Sequence, residues 1–221
     1  MTRRTLLLGA VLALALGACA ADPTPSPKPA CPTAAPTSIE AQAILQDAGL
    51  ATVTVSGGAT GSFEIELFGD AAPIATANFV NLARCGYYDG ITFHRVLAGF
   101  VIQAGDPGTR TNRGDFAELG TGGPGYGFEI EPPAEGLRYD PYVVAMANNG
   151  RTNGGQFFID LVDLDDALRS VGVYTIFGEV ISGTEVVDAI ATVPVNDPRI
   201  GLPLTPVIID SIVISAEPAG E

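Results

Sequence analysis

The chain has 221 residues, 47% hydrophobic and 16% charged, enough for one well-packed domain with short extensions. Lysine and arginine number 11 against 25 acidic residues, for a formal net charge of −14; with no basic patch to release counterions from a phosphate backbone, nucleic-acid binding is excluded as an expectation. A single histidine and the absence of any CxxC pair argue against a structural zinc site, and neither metal nor cofactor is expected.

The chain opens MTRRTLLLGAVLALALGAC. Arg3 and Arg4 precede an uncharged run from Thr5 to Ala18, within the ~7–15 residues of a signal-peptide core and short of the ~20 that span a bilayer. Leu16-Gly17-Ala18-Cys19 resembles the lipobox of bacterial lipoproteins. Residues 1–18 are therefore predicted to be a signal peptide cleaved before Cys19, whose thiol then carries lipid and holds the protein on the outer side of the cell membrane. A plain secreted protein and a retained anchor are the alternatives. TRRTLL also resembles a twin-arginine export signal, although an ordinary cationic start accounts for it equally well. Residues 19–37 read as a Pro-rich tether, in which AADPTPSPKPACPTAAPT favours extended polyproline II at ~3.1 Å per residue and a reach of roughly 50 Å. Cys31 and Cys85 remain, as a disulfide permitted outside the cell or as two free thiols.

A short helix is predicted within residues 38–50, followed by one domain over 51–215 and a tail at 216–221. Ala51 to Val55 and Ser62 to Phe68 read as strands joined through Gly57 and Gly58; in the second, Phe63, Ile65 and Leu67 alternate with Glu64 and Glu66. Pro73 to Cys85 is the clearest helix, with Ala75, Phe79, Leu82 and Ala83 on one face, Pro73 in the first turn and Gly86 at the stop. Further strands are predicted at Ile91 to Val96, Phe100 to Gln103, Tyr142 to Ala147, Gln156 to Asp160, Tyr174 to Ile181 and Val207 to Ser215. A second helix is predicted over Gly183 to Val193, with Ser182 and Glu185 spaced as a capping box and Pro194 closing it. Many short strands and few helices make the domain mainly β, an antiparallel barrel or sandwich with helices at its ends.

Several chemistries are poorly supported. Nucleophilic catalysis needs a base beside the nucleophile, but the only imidazole, His94, adjoins the cationic Arg95, and no GxSxG elbow occurs. Asp160, Asp163, Asp165 and Asp166 read as a solvated acidic loop. Gly120 to Gly125 lacks the Lys-Ser/Thr of a phosphate loop and reads as a sharply turning backbone.

What remains is Arg95, Phe100, Gln103, Asn148, Gln156 and Phe158, carried by FHRVLAGFVIQAGD (Phe93 to Asp106) and MANNGRTNGGQFFI (Met146 to Ile159). These segments resemble the signatures of the cyclophilins, peptidyl-prolyl cis-trans isomerases. The resemblance continues in family order through ANFVNLARCGYYDG (Ala77 to Gly90), GTGGPGY (Gly120 to Tyr126) and TIFGEV (Thr175 to Val180). It implies an eight-stranded antiparallel closed barrel capped by two α-helices. It further implies Arg95 as the catalytic residue, a proline pocket of Phe100, Val101, Phe158 and Leu168, and a peptide clamp of Gln103, Gly120, Ala147, Asn148, Asn149 and Gln156. Tyr174 stands where the family often has histidine. The implied partners are proline-containing peptides of exported proteins, handled by a monomer; a low-turnover binding or chaperone module using the same groove is the alternative. His94 and Arg95 point to opposite faces of a strand, so His94 is predicted to be structural and hydrogen-bonded within the fold. Arg95, Phe100 and Gln103 mix odd and even spacings, so the chain must bend at Ala98-Gly99 to bring them into one pocket.

The sequence also departs from the family. It has no tryptophan, which removes a contact many members make with cyclosporin, so cyclosporin binding is not among the expectations. Val101 replaces the common methionine, the segment Asp160 to Gly172 is longer than usual, and Thr109 to Leu119 lengthens the loop before Gly120.

Overall fold

The computed structural model describes residues 27–112 and 119–216. Cys19, the signal peptide over 1–18, the first part of the tether and nearly all of the tail lie outside the described residues, as do six residues of the Thr109 to Leu119 insertion.

The first helix, α1 (Ser38–Ile44), is started by a capping box: the Thr37 hydroxyl accepts from the Glu40 amide, and the Glu40 carboxylate accepts from the Thr37 amide at 2.8 Å. Strands β1 (Leu50–Gly57) and β2 (Gly61–Leu67) form a hairpin in which Phe63, Ile65 and Leu67 are buried. Helix α2 (Pro73–Arg84) has no side-chain cap of its own. Glu131 supplies one from across the fold, accepting from the amides of Ile74 and Ala75 at 3.0 and 2.8 Å, where a carboxylate also complements the helix dipole. Next come β3 (Arg95–Leu97), β4 (Val101–Ala104), the two-residue β5 (Phe128–Glu129), β6 (Val143–Asn148) and β7 (Thr152–Asp160). Helix α3 (Asp165–Val171), β8 (Ile176–Ser182), α4 (Thr184–Ala191) and β9 (Val207–Ser215) complete the domain.

Every pairing is antiparallel, in the order β3-β4-β7-β6-β8-β2-β1-β9, with β5 beside β7. The sheet curls round one core, where Phe79 meets Tyr88, Phe157 and Phe177 at ring separations of 5.0–5.7 Å. Helix α2 packs against β7, β8 and β9, while α4 packs against β2, β3 and β4.

The expected closed barrel is corrected to an open, curled half-barrel. Among the described residues the end strands β3 and β9 do not pair; the segment ahead of β3 touches β9 at a single bridge, Thr92 to Ile208, flanked by the hydrogen bonds Gly90 N to Ile209 O, Ile209 N to Ile91 O and Phe93 N to Val207 O. By His94 the chain has already turned to β4, its amide donating to Gln103 O at 3.1 Å, so the strand predicted over Ile91 to Val96 shrinks to Arg95–Leu97.

Three other expectations change. Four α-helices are present among the described residues rather than two caps and a short leader: α3 occupies part of what was read as a solvated acidic loop. The capping box at Ser182 does not form, because Ser182 stays paired with Glu64 in the sheet. Gly183, at φ 74°, is the cap instead, and a Cβ there would lie 2.4 Å from Ser62 O. Finally, the tether is not free over residues 27–37. Cys31 and Cys85 are bonded, with Cα atoms 5.0 Å apart, Lys28 pairs with Asp89, and Pro36 is buried. Cross-linking positions 54 residues apart contributes ~4 kcal/mol in the chain-entropy account.

Candidate active site

Register assembles the site. Arg95 of β3 pairs with Gln103 of β4, Gln103 with Phe158 of β7, and Phe158 with Ala145 of β6. Directly opposed residues share a face, so Arg95, Gln103 and Phe158 form one row across three strands. The next row holds Leu97, Val101 and Asp160. The bend expected at Ala98-Gly99 is the β3–β4 turn, closed by Phe100 N donating to Leu97 O at 2.9 Å with Gly99 at φ 73°. It lays Phe100 beneath the Arg95 guanidinium, 5.7 Å from Cζ to ring centroid.

A polar relay runs along the row: Arg95 Nη1 to Gln103 Oε1 at 3.4 Å, Gln103 Nε2 to Gln156 Oε1 at 2.9 Å, and Gln156 Nε2 to Gly122 O at 2.8 Å. Burial draws the half-buried Arg95 down from its ordinary value, while Tyr174 opposes the shift; an arginine starts so high that it stays charged.

On one side of this relay lies an apolar cluster. Val101, Phe158, Leu168, Leu164, Tyr139 and Ile176 form its buried part, and Phe100, Ala147 and Tyr174 pack against it. Phe158 and Tyr174 meet edge to face at 5.5 Å. On the other side lies a groove of about 680 Å³, lined by Gln103, Gly120, Ala147, Asn148, Asn149 and Gln156 together with glycines of the 120–127 and 154–155 loops. Eleven of the twelve residues named for the site thus fall in these two adjoining compartments, and the twelfth, Arg95, bridges them through Phe100 of the one and Gln103 of the other. A register shift between Met146 and Asn148 leaves Ala147 unpaired at the groove. The side chains of Asn148 and Asn149 hold their own turn: Asn148 binds Val173 O and Gly150 N, and Asn149 binds the amides of Arg151 and Thr152.

Two residues that the sequence does not mark out, Asp106 and Tyr139, shape the site, and a third, Asp160, stands in a different setting from the one expected. Asp106 is buried and accepts from the amides of Gly108, Gly120 and Gly122 at 2.8, 2.6 and 3.1 Å, which fixes the glycine loop along the groove. A Cβ at Gly122 would lie 2.2 Å from Asp106 Oδ1, so only glycine fits. An acid two residues before one glycine and ahead of a glycine-rich run was the available signal. Tyr139 bonds both backbone groups of Tyr174 through its hydroxyl. Asp160, assigned to a solvated loop, is instead a fully buried residue of β7, with neither carboxylate oxygen hydrogen-bonded. As the last residue of β7 it pairs with Val101 of β4 and so sits inside the sheet rather than in the loop that follows.

His94 is also buried, as a structural residue would be, but its expected hydrogen bond is absent: among the described residues neither ring nitrogen has a partner.

These two groups oppose each other in pH dependence. Burial lowers His94 from 6.5 to about 4, and burial, helped by Asp140, pushes Asp160 from 3.8 to about 8. Between about pH 4 and 6.5 the unfolded chain binds a proton at His94 that the fold refuses, so stability gains with pH. Over the same range the fold keeps a proton at Asp160 that the unfolded chain has lost, so stability falls. From 6.5 to about 8 only Asp160 acts, and it should cost up to about 1.4 kcal/mol per pH unit. Urea midpoints across that window are expected to decline for the wild type and to flatten in Asp160→Asn; an equal decline in both would remove Asp160 as the cause.

The family model for cyclophilin type peptidyl-prolyl cis-trans isomerases matches residues 50–214. The chain belongs to the cyclophilin-type peptidyl-prolyl cis-trans isomerases, an isomerase class of enzymes. Among its relatives, peptidyl-prolyl cis-trans isomerase B of Streptomyces anulatus is 43% identical over 172 residues, covering 70% of this chain and 91% of the relative. A peptidyl-prolyl cis-trans isomerase-like 3 protein of Dictyostelium discoideum is 40% identical over 160 residues, covering 72% and 92%. In three dimensions the chain is similar to a cyclophilin type isomerase of Cryptosporidium parvum, at a TM-score of 0.64 and 33% identity over 78% of this chain and 99% of that one. That protein has also been solved in the presence of the dipeptide Ala-Pro.

Proposed function

We propose that this isomerase accelerates X-Pro rotation in exported polypeptides, as a monomer, through a hydrogen bond from Arg95 to the twisted prolyl amide. Rotation about an X-Pro bond breaks amide conjugation, a barrier of ~18–20 kcal/mol, whereas cis and trans differ by only ~1 kcal/mol. At the twisted midpoint the proline nitrogen regains its lone pair and becomes an acceptor. A guanidinium donating there stabilises the transition state more than either ground state, which is what catalysis requires.

The observation that carries this reading is the row Arg95–Gln103–Phe158, a charged donor held between an apolar cluster and a polar groove. Phe100, Val101, Phe158 and Leu168 would grip the pyrrolidine ring, and Gln103, Gln156 and the backbone at Asn148 would hold the flanking peptide. The Ala-Pro dipeptide used with the Cryptosporidium relative is the ligand such a pocket would take. A protease-coupled assay of an Ala-Pro peptide with the full chain in detergent should give a rate well above the uncatalysed one. Binding without turnover would favour a holding or chaperone role instead.

The lipoprotein-type start supports a site of action outside the cytoplasm, on a membrane, where newly exported chains would fold and uncatalysed isomerisation takes tens of seconds. Metabolic labelling with a fatty acid is expected to mark the wild type and to leave Cys19→Ser unmarked. Absence of label from both would remove the anchor.

A further inference from the structure

We propose that Tyr139 is a positioning residue for the proline pocket, its hydroxyl fixing Tyr174 against Phe158 and thereby setting the pocket wall beside Arg95. This rests on the isomerase reading above. Tyr174 lies in the link between α3 and β8, where Gly172 breaks the helix and Val171 and Val173 are 71% and 47% exposed; Asn148 holds the carbonyl of Val173 and the sheet holds Thr175, but Tyr174's own backbone groups are bonded by neither. One hydroxyl secures both backbone groups of Tyr174. Tyr139 Oη donates to Tyr174 O at 2.8 Å and accepts from Tyr174 N at 3.1 Å.

The rest of Tyr139 is fixed at the far end of the same helix. Its amide donates to Asp165 Oδ1 at 3.2 Å, and its carbonyl accepts from Leu164 N at 2.8 Å. Asp165 also accepts from Arg138 and Arg169, and the Arg169 guanidinium lies 5.6 Å from the Tyr139 ring centroid. Tyr139 thus spans α3 from its start to its exit, and α3 carries Leu168 into the apolar cluster. Burial raises the Tyr139 hydroxyl above its ordinary value, so it keeps the proton that it donates. Tyr174, held in this way, meets Phe158 edge on, and Phe158 stands in the same cross-strand row as Gln103 and Arg95. Loosening it would widen the space that receives the proline ring and leave the Arg95–Gln103 relay untouched.

The test is Tyr139→Phe in the full chain, which removes one oxygen and keeps the ring. Loss of two hydrogen bonds, partly offset by relaxation, should raise KM for an Ala-Pro peptide, and its Kd in an NMR titration, by about fivefold. A wall that binds ground and transition states alike should leave kcat nearly constant. In a Tyr174→Ala background the same substitution should change neither quantity, because its effect passes through Tyr174. A lower melting temperature with unchanged KM and Kd, or full additivity in the double variant, would overturn the proposal. If the wild type shows no turnover, the isomerase reading fails, and the peptide Kd of the four proteins still decides the role of Tyr139. If the wild type also binds no peptide, both fall together.

Discussion

Replacing Arg95 with alanine is expected to lower kcat/KM for an Ala-Pro peptide by about 10²- to 10³-fold, the range seen when one preorganised donor to a developing charge or lone pair is removed. Peptide affinity should change far less, because Gln103, Gln156 and the apolar cluster remain. The loss should therefore fall on kcat. Arg95→Lys would keep the charge but not the planar fork that reaches over Phe100 and toward Gln103, so it should recover only a small part of the rate. A rate equal to wild type in Arg95→Ala would refute the role given to the guanidinium. A parallel collapse of peptide binding would mean that Arg95 chiefly builds the pocket.

The largest effect on stability is expected from Phe79→Ala, at about 3–5 kcal/mol in urea or guanidinium unfolding. Phe79 is fully buried on the inner face of α2 and touches Tyr88, Phe157 and Phe177, which come from a loop and from two strands at different places in the sheet. Removing its ring leaves a cavity that none of these can fill without leaving its own rotamer. Phe157 is the sequence neighbour of Phe158, so the cavity should also be felt at the pocket. Turnover of whatever fraction remains folded should fall modestly, and a loss of under 1 kcal/mol would show that the core can collapse around the gap.

Strict alternation or a full amphipathic face made elements legible. Phe63, Ile65 and Leu67 marked β2, Pro73 and Gly86 bracketed α2, and Val207 to Ser215 was read with its observed limits. The site was legible because its residues lie in short contiguous segments whose spacing is fixed by a hairpin turn. What escaped was long-range. Asp165 looks like one more acid in an acidic run until Arg138 and the Tyr139 amide reach it from 26 or 27 residues away and join its i+4 neighbour Arg169 in compensating its charge at the start of α3. Asp106 acts on amides 14 and 16 residues away, and Tyr139 on a backbone 35 residues away, neither of which a local period can report. The failed cap at Ser182 is a competition in which a sheet hydrogen-bond partner outweighed a helix cap. The open seam has a similar origin, since three residues of β3 are too few to complete a ladder with β9.

The bond between Cys31 and Cys85 also bears on how far the enzyme can search. In the lipid-anchored reading a leash counted from Cys19 to the first helix would give roughly 50 Å of play. Counted instead to the point where Lys28 meets Asp89, the tie is about nine residues, a reach of at most roughly 28 Å. Swept volume scales with the cube of leash length, so a domain anchored in this way would be confined to about a sixth of the space, and its effective concentration toward any chain emerging at that membrane would rise by the same factor.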